Sequence, residues 1–211
     1  MNSIAEKEYW DSIYKSGGGS GQGSRGQLLE FKANFINNIL EKNNLQNVFD
    51  LGCGDGYLAR LLNCKNYFGI DVSTEAVDRC QKEIKREGFF FEQGPFELYT
   101  ASIIKSKFND KFKTQLDAIM CIDALYHVMD DSVVNSILES IFSTDVKLII
   151  LYTIPNAEMD GKKLNYINRY NNEKIIEKFS KDWECVMKTL PYLISAAGFF
   201  VYQKIERGIK C

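Results

Sequence analysis

Apolar side chains recur at Leu28, Leu29, Phe31, Phe35, Ile36, Ile39 and Leu40 with polar residues between them, the spacing that lines one face of an α-helix. The period then changes. Val48, Phe49 and Leu51 form a short apolar run that stops at glycines, which predicts a buried strand followed by a turn. The alternation repeats along the chain. A helix is expected over Tyr57 to Leu62, a strand over Tyr67 to Asp71, and a helix over Ser73 to Arg86, opened by a Ser/Thr cap and closed at Gly88. Phe89 to Phe91 then reads as a strand, Leu98 to Lys107 as a helix, Ala118 to Ile122 as a strand, Val133 to Phe142 as a helix and Lys147 to Ile154 as the fifth strand.

Strands separated by helices of this length require right-handed crossovers, so the expected fold class is α/β: a Rossmann-like, mostly parallel twisted sheet with helices on both faces. After Ile154 comes a polar insertion through Tyr170. Helical stretches are expected around Glu173 to Trp183 and Leu190 to Ala197, with a last strand from Phe199 to Ile205. A chain of 211 residues with 45% hydrophobic positions suffices for one domain. Residues 27–211 are assigned to it, and residues 1–26 to a polar, glycine-rich opening segment.

Charge narrows the partners. With 26 Lys+Arg against 28 Asp+Glu the net charge is only −2, without the field expected of a nucleic-acid or membrane-surface binder. The expected partner is a small-molecule substrate, and the oligomeric state is left open. The six cysteines form no CxxC pair and no cluster of zinc spacing, so they read as reduced thiols with no metal. The first nine residues lack a signal peptide's apolar run, and no apolar stretch approaches the roughly 20 residues of a membrane helix. The expected compartment is the cytoplasm.

The sharpest chemical signal is Asp50-Leu51-Gly52-Cys53-Gly54-Asp55-Gly56, a buried strand running into a glycine turn that opens a helix. Such a turn lets backbone approach a ligand closely and aims free helix N–H groups at it. Asp71 ends the second strand, where a carboxylate can accept hydrogen bonds from both hydroxyls of a ribose. The glycine spacing is G-x-G-x-G, not the dinucleotide G-x-G-x-x-G. These residues resemble motif I of the class I S-adenosylmethionine-dependent methyltransferases, and Gly69-Ile70-Asp71-Val72-Ser73 resembles their second motif. Leu116 to Val128 resembles the family's fourth-strand segment, which borders the methyl-transfer site.

The resemblance spans about Val48 to Ile154 and implies S-adenosylmethionine as cofactor. It implies cofactor contacts at Asp50, Gly52, Cys53, Gly54, Asp71, Val72, Gln93, Phe96 and Ile122, with adenine near Gln93 to Phe96 although no acid stands at Gln93. The family also closes its sheet with an antiparallel seventh strand, which this reading does not find. Either that edge is shortened or the last elements lie elsewhere.

Methyl transfer from a sulfonium needs chiefly a positioned acceptor, and a general base only when the acceptor is weakly acidic. His127, the one histidine, is the candidate base, with packing or helix capping near Asp130 and Asp131 as the competing role. Gly17 to Gly26 holds six glycines beside Tyr9-Trp10-Asp11-Ser12-Ile13-Tyr14. It reads as a flexible linker or as a lid that orders over ligand, the lid being favoured. Tyr14, Ser24, Arg25, Tyr126 and Arg169 are the expected acceptor contacts, Arg25 facing an anion.

The Tyr-Trp-Asp-x-x-Tyr pattern with its Gly/Ser run more loosely resembles small bacterial methyltransferases of surface-polysaccharide biosynthesis, which implies methylation on oxygen of a sugar, phosphate or phosphoramidate group. The alternatives are an NAD-dependent oxidoreductase and a non-catalytic nucleotide-binding protein. The glycine spacing does not supply the dinucleotide turn that the former requires.

Overall fold

The computed structural model describes residues 3–154, 172–193 and 195–205. Helices α1 (Ser3–Lys15) and α2 (Gly26–Lys42) precede strand β1 (Asn47–Leu51), and alternation follows: α3 (Tyr57–Leu61), β2 (Asn66–Asp71), α4 (Thr74–Glu83), β3 (Phe89–Gln93), α5 (Ala101–Phe112), β4 (Ala118–Ile122), α6 (Asp131–Phe142) and β5 (Leu148–Thr153). Helix α7 (Asn172–Phe179) and strands β6 (Trp183–Lys188) and β7 (Gly198–Lys204) complete the described chain.

One seven-stranded sheet runs β3-β2-β1-β4-β5-β7-β6, parallel through β5, with β7 antiparallel to both of its neighbours. The Rossmann-like, mostly parallel sheet is therefore as expected. Its strands are buried on both sides, which is why they read as continuous apolar runs. On one face Phe49, Phe68 and Ile119 pack with Ile104 and Phe108 of α5 and Ile137 and Ile141 of α6. On the other, Val48, Tyr67 and Met120 pack with Ile36 and Leu40 of α2 and Val77 and Cys80 of α4. Neighbours in sequence thus feed opposite layers, as strand pleating requires.

The C-terminal part corrects the sequence reading. The edge is not shortened: Trp183, taken as the end of a helix, begins strand β6, and β7 inserts between β5 and β6. Strand β6 buries Trp183 and leaves its other five residues exposed, so it carries no period-2 signal. The helix expected from Leu190 to Ala197 is absent from the described residues there. Pro191 has no N–H to donate and Leu193 sits at φ 55, both against helix continuation. The expected polar insertion through Tyr170, with Arg169, lies outside the described residues.

Helix α1 is an element the sequence reading missed. The side chains it buries are Glu6, Asp11 and Tyr14, too polar to mark an apolar stripe. It docks on the start of α4, where the Asp11 carboxylate accepts hydrogen bonds from the Ser73 hydroxyl (2.7 Å) and the Glu75 N–H (3.3 Å).

Candidate active site

Strand β1 is hydrogen-bonded to both β2 and β4, so the strand order reverses beside it and a crevice opens at the strands' C-terminal ends. The chain leaves β1 through Gly52, Gly54 and Gly56, at φ 91, 54 and 75. The N–H groups of Gly52 and Cys53 both donate to the Ile70 carbonyl at 2.9 Å, tying the turn to β2. A Cβ on Gly52 would overlap that of Ala124 beyond β4, so only glycine lets the two loops meet.

Two buried carboxylates stand on either side of this turn. Asp71 accepts the Gly54 and Ser73 N–H groups, each at 2.9 Å. Burial nevertheless pushes its pKa up to about 6 from a usual 3.8. Asp50 accepts the Tyr67 hydroxyl at 2.5 Å, and its other oxygen is buried without a hydrogen-bond partner. Burial pushes Asp50 up to about 7, the Tyr67 hydrogen bond opposing the shift. A carboxylate oxygen held bare in the protein interior is costly, and a donor-bearing ligand removes that cost.

Of the expected cofactor residues, Asp50, Gly52, Cys53, Gly54, Asp71, Val72, Phe96 and Ile122 line one cavity of about 810 Å³ including its mouth. Gln93 does not line it; its side-chain amide donates to the Val72 carbonyl at 3.0 Å. The Cys53 thiol is buried and held well above its ordinary pKa by desolvation, which keeps it protonated and unreactive.

His127 lines the same cavity from a single turn of 3₁₀ helix after β4, its ring meeting that of Trp10 edge to face at 5.2 Å between centroids. Tyr14 and Ser24 line it as well. Tyr126 and Arg25 do not: the Tyr126 hydroxyl donates to Asp123 at 2.8 Å, and Arg25 is turned toward Asp55.

The opening segment forms a strap over the glycine turn. Ser20 Oγ donates to Asp55 Oδ1 at 2.9 Å and receives the Asp55 N–H at 3.1 Å, and Tyr14 hydrogen-bonds the same hydroxyl at 2.8 Å. Arg25 meets Asp55 at 2.5 Å and lies 3.6 Å over the Tyr57 ring. Arg79 of α4 holds the strap's far end by donating to the carbonyls of Gly18 (2.8 Å) and Tyr14.

Sequence reasoning missed four further groups. Glu6 and Trp10 face the cavity from α1 one helical turn apart, and Tyr14 follows at the same spacing. Lys32 of α2 and Asp123, just past β4, form a buried ion pair at the cavity wall. Lys32 was the legible one, a lysine at i+4 from Leu28 and i−4 from Ile36 on the apolar face. The lining carries five carboxylates, Glu6, Asp50, Asp55, Asp71 and Asp123; Asp55 is paired with Arg25 and Asp123 with Lys32, and burial raises the pKa of the other three.

Residues 49–142 match the methyltransferase domain family. Over 125 residues, 58% of this chain, the sequence is 25% identical to an uncharacterised methyltransferase of Schizosaccharomyces pombe, and the match spans 44% of that protein's length. Among solved structures, the fold resembles the N-methyltransferase NodS of Bradyrhizobium japonicum in complex with S-adenosyl-L-homocysteine, with a TM-score of 0.71 at 13% identity, covering 94% of this chain and 98% of that one. It also resembles magnesium protoporphyrin IX methyltransferase of Synechocystis with bound S-adenosylmethionine, with a TM-score of 0.66 at 15% identity, covering 96% of each chain.

Proposed function

We propose that this chain, which carries a methyltransferase domain over residues 49–142 on a Rossmann-like sheet, moves a methyl group from S-adenosylmethionine to a small polar acceptor. The observation that carries the reading is the meeting, in one cavity, of the glycine turn, the buried Asp71 carboxylate and the bare oxygen of Asp50. The residues fit the cofactor's chemistry. Asp71 suits the two ribose hydroxyls, Asp50 suits an ammonium, and the turn admits backbone-close contact. Bound there, the cofactor supplies a methyl group on a sulfonium, whose leaving group needs no further activation.

The chain's own work is then positioning and exclusion of water. Val72, Phe96 and Ile122 offer apolar walls for a base, while the strap closes the turn from above. We assign residues 1–26 to this covering role and residues 27–211 to the domain beneath it. His127, braced by Trp10, stands where it can take the proton of a hydroxyl acceptor or orient one that needs no base.

The acceptor we favour is neutral or cationic. A sugar hydroxyl methylated on oxygen, as in surface-polysaccharide biosynthesis, falls within that class. A phosphate or phosphoramidate oxygen would face the carboxyl groups of Glu6, Asp50 and Asp71, with Arg25 already paired to Asp55. An NAD-dependent activity lacks support in the Gly52-x-Gly54-x-Gly56 spacing. Isothermal titration tests the reading: S-adenosylhomocysteine should bind and NAD should not. Binding of NAD alone would overturn it. A screen of small polar metabolites with methyl-labelled cofactor would then identify the acceptor.

A further inference from the structure

Helix α1 sets Glu6 and Trp10 one turn apart on the cavity wall. Glu6 is 8% exposed, and a glutamate buried this far ordinarily has a charged partner. Its Oε1 accepts the Met129 N–H at 3.1 Å. Among the described residues no other hydrogen bond reaches the carboxylate, and no lysine or arginine pairs with it. Burial raises its pKa above the usual carboxylate value, as expected of a group short of compensating charge.

The other cavity carboxylates already have tasks. Asp55 is paired with Arg25 and Asp123 with Lys32. Asp50 and Asp71 flank the glycine turn, where the cofactor needs them. Glu6 stands apart from these four. Met129, which holds it, follows His127 in the loop after β4, so the carboxylate lies on the side of the cavity that α1 and this loop build together. The Trp10 ring meets that of His127 on the same side. A carboxylate with an unfilled oxygen beside an indole is a donor set for an ammonium: the first supplies charge and a hydrogen-bond acceptor, the second the negative face of its ring.

Resting on the methyl-transfer reading above, we propose that Glu6 and Trp10 bind an amino group of the acceptor, so that the substrate class is an amine, amino sugars included, and Glu6 is the residue that selects it over the corresponding alcohol. The held ammonium fixes the acceptor's position. The atom that receives the methyl is then decided by what the rest of the acceptor presents to the cofactor.

The test titrates the full chain, saturated with S-adenosylhomocysteine, with matched amines and alcohols: glucosamine and glucose, ethanolamine and ethylene glycol, cyclohexylamine and cyclohexanol. Ligand-observed NMR reads the binding. At least one amine should bind about tenfold or more tighter than its alcohol, the range for one hydrogen bond to a charged group. Glu6→Gln keeps an oxygen for the Met129 N–H and loses the charge. It should abolish the preference by weakening the amine alone, with S-adenosylhomocysteine affinity and melting temperature close to those of the wild type. Glu6→Asp keeps the charge and should retain part of the preference, which guards against a Gln variant that fails to fold. Trp10→Leu should weaken the amine more than the alcohol.

A wild-type chain that binds S-adenosylhomocysteine but prefers no amine to its alcohol would overturn the proposal alone. An equal loss of amine and alcohol in Glu6→Gln would overturn it in favour of a carboxyl group that only caps the Met129 N–H. A wild-type chain that does not bind S-adenosylhomocysteine would sink the cofactor reading, and the inference with it.

Discussion

Arg25 and Asp55 meet at 2.5 Å, so the guanidinium expected to face an acceptor is turned instead to a carboxylate of the glycine turn. The strap carries Ser20 onto the same carboxylate. Arg25→Ala should therefore loosen residues 17–25 and weaken S-adenosylhomocysteine, whereas an acceptor-binding arginine would alter only the acceptor KM. Because the arginine is partly exposed, the Arg25/Asp55 coupling from a double-mutant cycle should be modest, about 1 kcal/mol or less. Faster proteolysis within the strap in Arg25→Ala is the accompanying readout. A strap equally resistant in both proteins would refute this role of the pair.

Gly52→Ala should abolish cofactor binding in any protein that folds. The residue sits at φ 91, and its new methyl would collide with the Ala124 side chain, so the turn or the loop after β4 must shift. Titration with S-adenosylhomocysteine measures the loss. Retained affinity would mean that the two loops are not held together by the site.

Asp71→Ala should weaken S-adenosylhomocysteine by about 1 to 3 kcal/mol, the range for leaving buried polar partners unmatched. It also removes the acceptor of the Gly54 and Ser73 N–H groups, so the melting temperature should fall too. Asp71→Asn keeps the volume and half of the acceptors, and separates the two effects. A folded variant with unaltered affinity would take the ribose away from Asp71.

Burial raises both Asp71 and Asp50, to about 6 and about 7 from a usual 3.8. A folded-state pKa above the unfolded one means that the native chain holds the proton more tightly. The stability from these groups is thus complete below about pH 4 and is lost as pH rises toward 7. Ligand binding has the opposite sign, because an ammonium and ribose hydroxyls favour the ionised carboxylates. Affinity for S-adenosylhomocysteine should climb between pH 5.5 and about 7.5, with proton release visible as a buffer-dependent binding enthalpy. Asp50→Asn should flatten the upper part of that rise. A flat profile in the wild-type chain would contradict this account.

His127→Ala should lower turnover on a hydroxyl acceptor by about a hundredfold or more while S-adenosylhomocysteine affinity stays close to that of the wild type. Rate loss recovered at saturating acceptor would instead assign the ring to binding. The Trp10 edge contact gives a control: Trp10→Phe keeps an aromatic wall and should cost far less than removal of the imidazole.

Much of this molecule was legible from the chain alone. The strand and helix alternation from Leu28 to Ile154, the glycine turn and Asp71 are local features, written in a period of two or 3.6 residues or in a positive φ that only glycine adopts cheaply. A sheet buried on both faces makes such patterns strong, and the sequence reading found all five of its first strands.

What the tertiary structure decided are pairings between distant segments. Lys32 and Asp123 lie 91 positions apart, and no period links them; only the stacking of α2 over the end of β4 brings them together. The strap's ion pair likewise needs the fold to set Asp55 beside Arg25, and α1 buries carboxylates that a search for apolar faces passes over. The edge strand β6 was illegible because one buried residue and five exposed ones give no alternation. Its place beyond β7 comes from hydrogen bonds between strands, which any backbone can make and no side-chain pattern announces.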